Sequence, residues 1–218
     1  MSDGTRTTVH LLRHGEVHNP TGVLYGRLPG FRLSERGLAM AERLAKTLAE
    51  RPVTHLACSP LERAQQTMAP VAEALRLEVH TDDRVIEASN AFEGEKFGVG
   101  DGSLRNPGHW KHLRNPFRPS WGEPYAEIVA RMGPAVDDAR KAAHGSEAVI
   151  VSHQLPIWTI RSSLAGNRLW HDPRKRQCTL ASLTSLVYAG ERLLRIDYSE
   201  PAADLLPVTG GPTFAAGA

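Results

Sequence analysis

Ala148-Val149-Ile150-Val151-Ser152 is a short, mostly β-branched apolar run that ends at a histidine, His153. A run of this length and composition reads as a strand buried on both faces, the pattern of a parallel sheet covered by helices. Two similar runs precede it, Thr8 to Leu12 and Val53 to Cys58. Helical spacing fills the intervals. Leu33-Ser34-Glu35 opens a helix in which Leu38, Ala41, Leu44, Ala45 and Leu48 recur, and Pro52 stops it. Ser59-Pro60-Leu61-Glu62 reads as a capping box with proline at the first helical position, leading into a helix through Ala64, Met68, Val71 and Leu75. Leu77 to His80 reads as a short strand. Tyr125 to Ala143 carries Ile128, Val129, Met132, Val136 and Ala139 on one face, and Trp158 to Leu164 reads as a helix closed by Gly166. Ala181 to Tyr188 and Leu193 to Tyr198 alternate as a hairpin turned at Ala189-Gly190-Glu191. Strands alternating with helices predict an α/β fold with a mainly parallel, doubly wound sheet. The 218 residues suit one domain, with a loose tail over 201–218 rich in Pro, Gly and Ala.

Residues just past the carboxyl ends of such strands line the ligand crevice of open α/β folds. Three junctions of this chain place ionisable groups there: Arg13-His14, Ser59 with Arg63 one turn into its helix, and Ser152-His153. If the three strands are parallel neighbours, two histidines and two arginines meet in one anion pocket. The guanidinium fork suits a phosphoryl group. Nearby cations disfavour imidazolium, so His14 is expected to be neutral, and a neutral histidine beside phosphorus is a nucleophile. A leaving alkoxide then needs a proton, and Glu87 is the candidate acid, with Glu93 and Glu16 as rivals.

The pocket must be local, because 26 Lys and Arg against 24 Asp and Glu make no general nucleic-acid or membrane surface. Cys58 and Cys178 form neither a disulfide framework nor a zinc spacing, which suits a reducing, cytoplasmic setting. His10, His14 and His18 would form a metal face only on a helix; VHLLR reads as strand, so no metal is expected there and His10 is a packed core histidine. No apolar stretch approaches membrane-spanning length and no signal-peptide core opens the chain.

RHGE at 13–16, SPLERAQQT at 59–67, the glutamate of VIEASNAFEG, and VSH at 151–153 resemble, in order, the histidine phosphatase superfamily, also called phosphoglycerate mutase-like. The resemblance spans residues 9 to about 165. It implies a three-layer α/β/α fold, one such domain over 1–200, a phosphohistidine at His14, phosphate held by Arg13, Arg63 and His153, a proton donor at Glu87, and no metal or organic cofactor for the chemistry. Many members carry an asparagine six positions after the nucleophile; here that position is Pro20 and Asn19 is the neighbouring candidate ligand. Gln154 stands where the family often has glycine and is a candidate substrate contact, as is Arg27 in TGVLYGRLPG.

Periodicity fails between about Ala88 and Glu123, a segment holding Arg105, His109, Trp110, Lys111, His112, Arg114, Arg118 and Trp121. It reads as an inserted lid that recognises a second anion or a planar ring, against a plain solvated loop. The expected function is a phosphomonoester hydrolase acting on a small phosphorylated metabolite, as monomer or homodimer. A phosphoglycerate mutase and a non-catalytic phospho-ligand binding module are the alternatives.

Overall fold

The computed structural model describes residues 5–96 and 122–206. Along these residues run β1 (Arg6–Arg13), α1 (Glu35–Ala49), β2 (Val53–Cys58), α2 (Glu62–Leu75), β3 (Val79–Thr81), α3 (Tyr125–Ala142), β4 (Glu147–Ser152), α4 (Gln154–Leu164), β5 (Leu183–Ala189) and β6 (Arg192–Ser199). The sheet order is β3-β2-β4-β1-β5-β6. The first four are mutually parallel; β5 runs antiparallel to β1, and β6 antiparallel to β5. The fold is therefore α/β with a mainly parallel sheet.

Side-chain alternation along β1 divides the core in two, since successive Cβ atoms point to opposite faces. Val9 and Leu11 pack with Ile128, Met132, Val136 and Ala139 of α3 and Ile157 and Ile160 of α4. Leu12 packs on the other side with Met40, Leu44 and Leu48 of α1 and Ala64, Met68 and Val71 of α2. Three layers result. His10 is 2% exposed, with Nδ1 2.7 Å from Ser185 Oγ and Nε2 3.0 Å from a Glu147 carboxylate oxygen, the satisfied core histidine the strand pattern predicts.

Several local expectations need correction. Ser59 does not cap α2: the helix begins at Glu62 behind Leu61, without a side-chain cap, and Pro60 lies outside it. The Ser59 hydroxyl accepts from Leu61 N at 3.4 Å and lies 2.8 Å from His153 Nε2, a tertiary bond no capping motif encodes. Leu38 lies off the core face of α1, which is carried by Gly37, Met40, Ala41, Leu44, Ala45 and Leu48. Helix α4 starts at Gln154, before the expected Trp158; Pro156 sits in its first turn, where a missing N–H costs nothing. The expected tail starts too early, because Ala202 is buried and Arg43 holds Asp204 at 2.9 Å. Residues 97–121, most of the segment expected to be an inserted lid, and the rest of the expected tail, 207–218, lie outside the described residues. Among those described, no helix is long and apolar enough to cross a membrane.

Candidate active site

Register brings the three junctions together. Arg13 pairs with Ser152 and Cys58 with Val151, so β1, β4 and β2 end level and release His14, His153 and Ser59 at one sheet edge. Main-chain bonds lock this alignment: His14 N donates to the Ser152 carbonyl at 3.2 Å and Ser59 N to that of Val151 at 3.0 Å.

Arg13, His14, Arg63, Glu87 and His153 are all at most 3% exposed. Arg13 Nη1 donates to the Cys178 carbonyl (2.7 Å) and Arg63 Nη2 to the Gly26 carbonyl (2.6 Å), with the Arg63 guanidinium 4.8 Å from the Tyr25 ring centroid. His14 Nδ1 lies 2.8 Å from the Gly15 carbonyl, which only accepts; the proton therefore sits on Nδ1 and the Nε2 lone pair is free. The His14 and His153 rings are 5.1 Å apart, tilted by 57°. Glu87 accepts from Ala88 N at 2.9 Å, and its other oxygen, Oε2, stands 4.0 Å from His153 Nδ1. Arg13 Nε and Nη2, His14 Nε2, Arg63 Nε, Glu87 Oε2 and His153 Nδ1 are buried with no hydrogen-bond partner. Buried polar atoms are rarely left unpaired, and guanidinium and imidazole nitrogens gathered at one sheet edge are the set a phosphoryl group satisfies.

Electrostatics separate the two proton-active groups. Burial, then the Arg63 and Arg13 charges, hold His14 well below the ordinary histidine value; the Gly15 carbonyl opposes only in part. Burial likewise lowers His153, assisted by Arg63, His14 and Arg13. Burial pushes the Glu87 carboxyl up, against the Ala88 N–H and the Arg63, Arg13 and Arg176 charges. A neutral imidazole thus shares the site with a carboxyl inclined to keep its proton, the arrangement nucleophile and general acid require.

The loop after His14 is held by close backbone contact. Gly15 N donates to Thr67 Oγ1 (3.0 Å), which donates to the Arg63 carbonyl (2.7 Å). A Cβ on Gly37 would stand 2.0 Å from the Glu16 carbonyl, so only glycine lets this loop lie on the start of α1. Ser34 caps α1 by accepting from Gly37 N (3.0 Å) and donates to Glu16 Oε2 (2.5 Å), while Arg36 takes the other Glu16 oxygen (2.9 Å). Glu16 is thereby committed to the helix start. Glu93 accepts from Asn90 N at 3.2 Å beside Gly26.

The remaining candidates are held by the protein itself. The Asn19 amide donates to the Val23 carbonyl (2.8 Å) and accepts from Val23 N (3.3 Å), shaping its own loop. Arg27 Nε donates to the Glu87 carbonyl (2.6 Å) and Nη2 to Glu123 (3.0 Å), gripping the main chain of the candidate acid. Arg131 bonds both oxygens of Glu123, at 2.7 and 3.0 Å. Gln154 donates to the Cys178 carbonyl (3.4 Å) and accepts from Arg176 (3.3 Å). Arg176, Tyr25, Glu123 and Arg131 are neighbours that motif reading missed. In the run PRKRQC nothing along the chain separates Arg176 from the exposed Arg174 and Lys175.

An α/β crevice with two neutral histidines, two buried arginines and a protonation-prone carboxyl defines a phosphoryl-handling protein. The family model described as histidine phosphatase superfamily (branch 1) matches residues 9–198. The chain belongs to this superfamily. It is 59% identical over 197 residues to an uncharacterised protein of Mycobacterium tuberculosis (strain ATCC 25618 / H37Rv), covering 90% of this chain and 98% of that one. It is 31% identical over 160 residues to phosphoserine phosphatase 1 of Hydrogenobacter thermophilus, covering 72% and 75%. The native structure of a mycobacterial glucosyl-3-phosphoglycerate phosphatase superposes with a TM-score of 0.69 at 25% identity, covering 84% and 90%. Its relatives thus include phosphatases, and probable phosphoglycerate mutases occur among them as well.

Proposed function

We propose that the protein is a phosphomonoesterase that works through a phosphohistidine at His14 on a small phosphorylated metabolite. The observation that carries this reading is the convergence of unpartnered buried atoms on Arg13, His14, Arg63, Glu87 and His153. In the first step the Nε2 lone pair of His14 attacks phosphorus, the P–O bond to the substrate breaks, and the Glu87 proton passes to the departing alkoxide. Arg13, Arg63 and His153 hold the phosphoryl oxygens throughout. In the second step water attacks phosphorus, the P–N bond breaks, and the Glu87 carboxylate accepts the water proton, releasing phosphate. Asn19, Arg27 and Gln154 act in this scheme through the loops they brace. Two free, buried cysteines suit a cytoplasmic setting.

A rapid-quench reaction with a labelled phosphomonoester and, in parallel, 3-phosphoglycerate tests the reading. Free phosphate and a transient acid-labile phosphoprotein are expected. Interconversion of phosphoglycerates would make the protein a mutase, and no adduct with either compound would leave a binding module.

A further inference from the structure

We propose that Glu123 is a positioning residue for the general acid: by joining Arg27 to Arg131 it fixes the main chain from Arg84 to Glu87 and so sets where the Glu87 carboxyl stands. The inference rests on the phosphomonoester reading for what Glu87 does, and extends it to what holds Glu87 in place. Glu87 lies in a stretch without regular structure. Residues 86–89 follow a single tight helical turn, Asp83–Val85, and belong to neither helix nor strand. Backbone carbonyls there must find partners elsewhere, and four of them do. Arg131 Nη1 donates to the Arg84 carbonyl at 2.7 Å, Ser152 Oγ to that of Val85 at 2.7 Å, Arg27 Nε to that of Glu87 at 2.6 Å, and Glu123 N to that of Ser89 at 3.1 Å.

Glu123 ties two of these donors to each other. Its Oε1 accepts from Arg131 Nε at 2.7 Å, and its Oε2 accepts from both Arg131 Nη2 and Arg27 Nη2 at 3.0 Å. Each guanidinium therefore bonds Glu123 and the acid segment at once. The Glu123 side chain is 12% exposed, and its main chain is fixed as well. A Cβ on Gly122 would stand 2.8 Å from the Ser89 carbonyl that Glu123 N binds, so the chain passes there too closely for any other residue.

Charge makes a carboxylate the fitting link. Two guanidinium groups that approach one segment repel each other, and a carboxylate between them offsets the repulsion while accepting charge-assisted hydrogen bonds from both. An amide of the same shape would leave two uncompensated cations behind Glu87. The Glu87 carboxyl is faced by Arg13, Arg63, Arg176, His153, Tyr25 and Cys178, and the Arg131 charge is felt at the His153 ring. Removing the Glu123 charge thus favours the Glu87 carboxylate, whereas removing the Arg27 charge favours its protonated form. The two changes loosen the same segment with opposite electrostatic signs.

The test uses E123Q and R27Q in the full chain, with thermal melting verifying that each folds. Rapid quench follows phosphoprotein formation from ethyl phosphate and from p-nitrophenyl phosphate. With ethyl phosphate both variants are expected to be about tenfold to a hundredfold slower than wild type, and with p-nitrophenyl phosphate within about threefold of it, because nitrophenolate leaves without a proton. E123D, which retains the charge, should recover part of the loss. Should E123Q not fold, E123D and R27Q carry the same comparison. NMR titration of the Glu87 side-chain carboxyl, assigned by its absence in E87Q, should place the midpoint lower in E123Q and higher in R27Q. Loosened packing alone would not give opposite shifts. Equal losses with the two esters, unchanged rates, or midpoints that stay put or move together would overturn the proposal. If the wild type forms no phosphoprotein, the phosphatase reading fails, and the carboxyl titration, which needs no turnover, still decides this one.

Discussion

His14 presents a lone pair because the Gly15 carbonyl takes the Nδ1 proton, while burial, then Arg63 and Arg13, make a second proton costly. His14→Ala should abolish phosphoprotein formation and turnover while phosphate still binds, since Arg13, Arg63 and His153 remain; quench-flow with an equilibrium phosphate titration checks both halves. Glu87→Gln should slow hydrolysis of alkyl phosphates about a hundredfold or more, yet slow p-nitrophenyl phosphate far less, because nitrophenolate leaves without a proton. The sign of the pH dependence follows from the two shifts. Lowered, His14 stays neutral and active to well below its ordinary value of 6.5; raised, Glu87 keeps its proton above its ordinary 4.5 and loses it as pH climbs. The wild-type rate should therefore fall on the alkaline side through Glu87, and Glu87→Gln should lack that limb in a pH–rate profile. These residues stood out as candidates in the motifs; the tautomer did not, because it depends on where one carbonyl points.

At the scale of elements, α1 and the loop behind β1 form one unit joined through Gly15, Glu16, Ser34 and Gly37. Gly37→Ala pushes a methyl against the Glu16 carbonyl, which is backbone and cannot swing aside. Overpacking of this kind costs about 1–3 kcal/mol, and displacement of His14 should depress kcat along with Tm. Ser34→Ala removes the cap on Gly37 N and should cost about 1 kcal/mol in denaturant melts. Helical spacing located α1, yet it placed Leu38 inward, since a wide apolar stripe leaves the outer row ambiguous. The Ser59 motif shows a different limit. Its hydroxyl keeps a long local bond, accepting from Leu61 N at 3.4 Å, and makes a closer distant one at 2.8 Å to His153 Nε2, an imidazole nitrogen buried beside two arginines.

Across the whole molecule, Glu147 ties the sheet together, accepting from His10 in β1 at 3.0 Å and from Arg51 ahead of β2 at 2.6 and 2.8 Å. Burial alone would raise its carboxyl, but the bonds from His10 and Arg51 outweigh burial and hold it at about 2. Its folded value lies below the unfolded one, so its contribution is present above about pH 4.5 and disappears as pH falls toward 2. Glu147→Gln should flatten the acid limb of the stability curve over that window, read by chemical denaturation at stepped pH. The amino-acid sequence by itself determined the alternation of strands and helices, the parallel sheet that follows from it, and the ionisable junctions after β1, β2 and β4. Those are local properties: the period of apolar residues and the chemistry of what comes next. Tertiary structure alone decided the level register that aligns the junctions, the bond of Ser59 to His153, the use of Arg27 as a brace on Glu87, and the half-buried placement of Arg176 against Gln154 and His171 while its neighbours Arg174 and Lys175 are exposed. Each depends on distances between residues far apart in the chain, and no pattern along one dimension contains them.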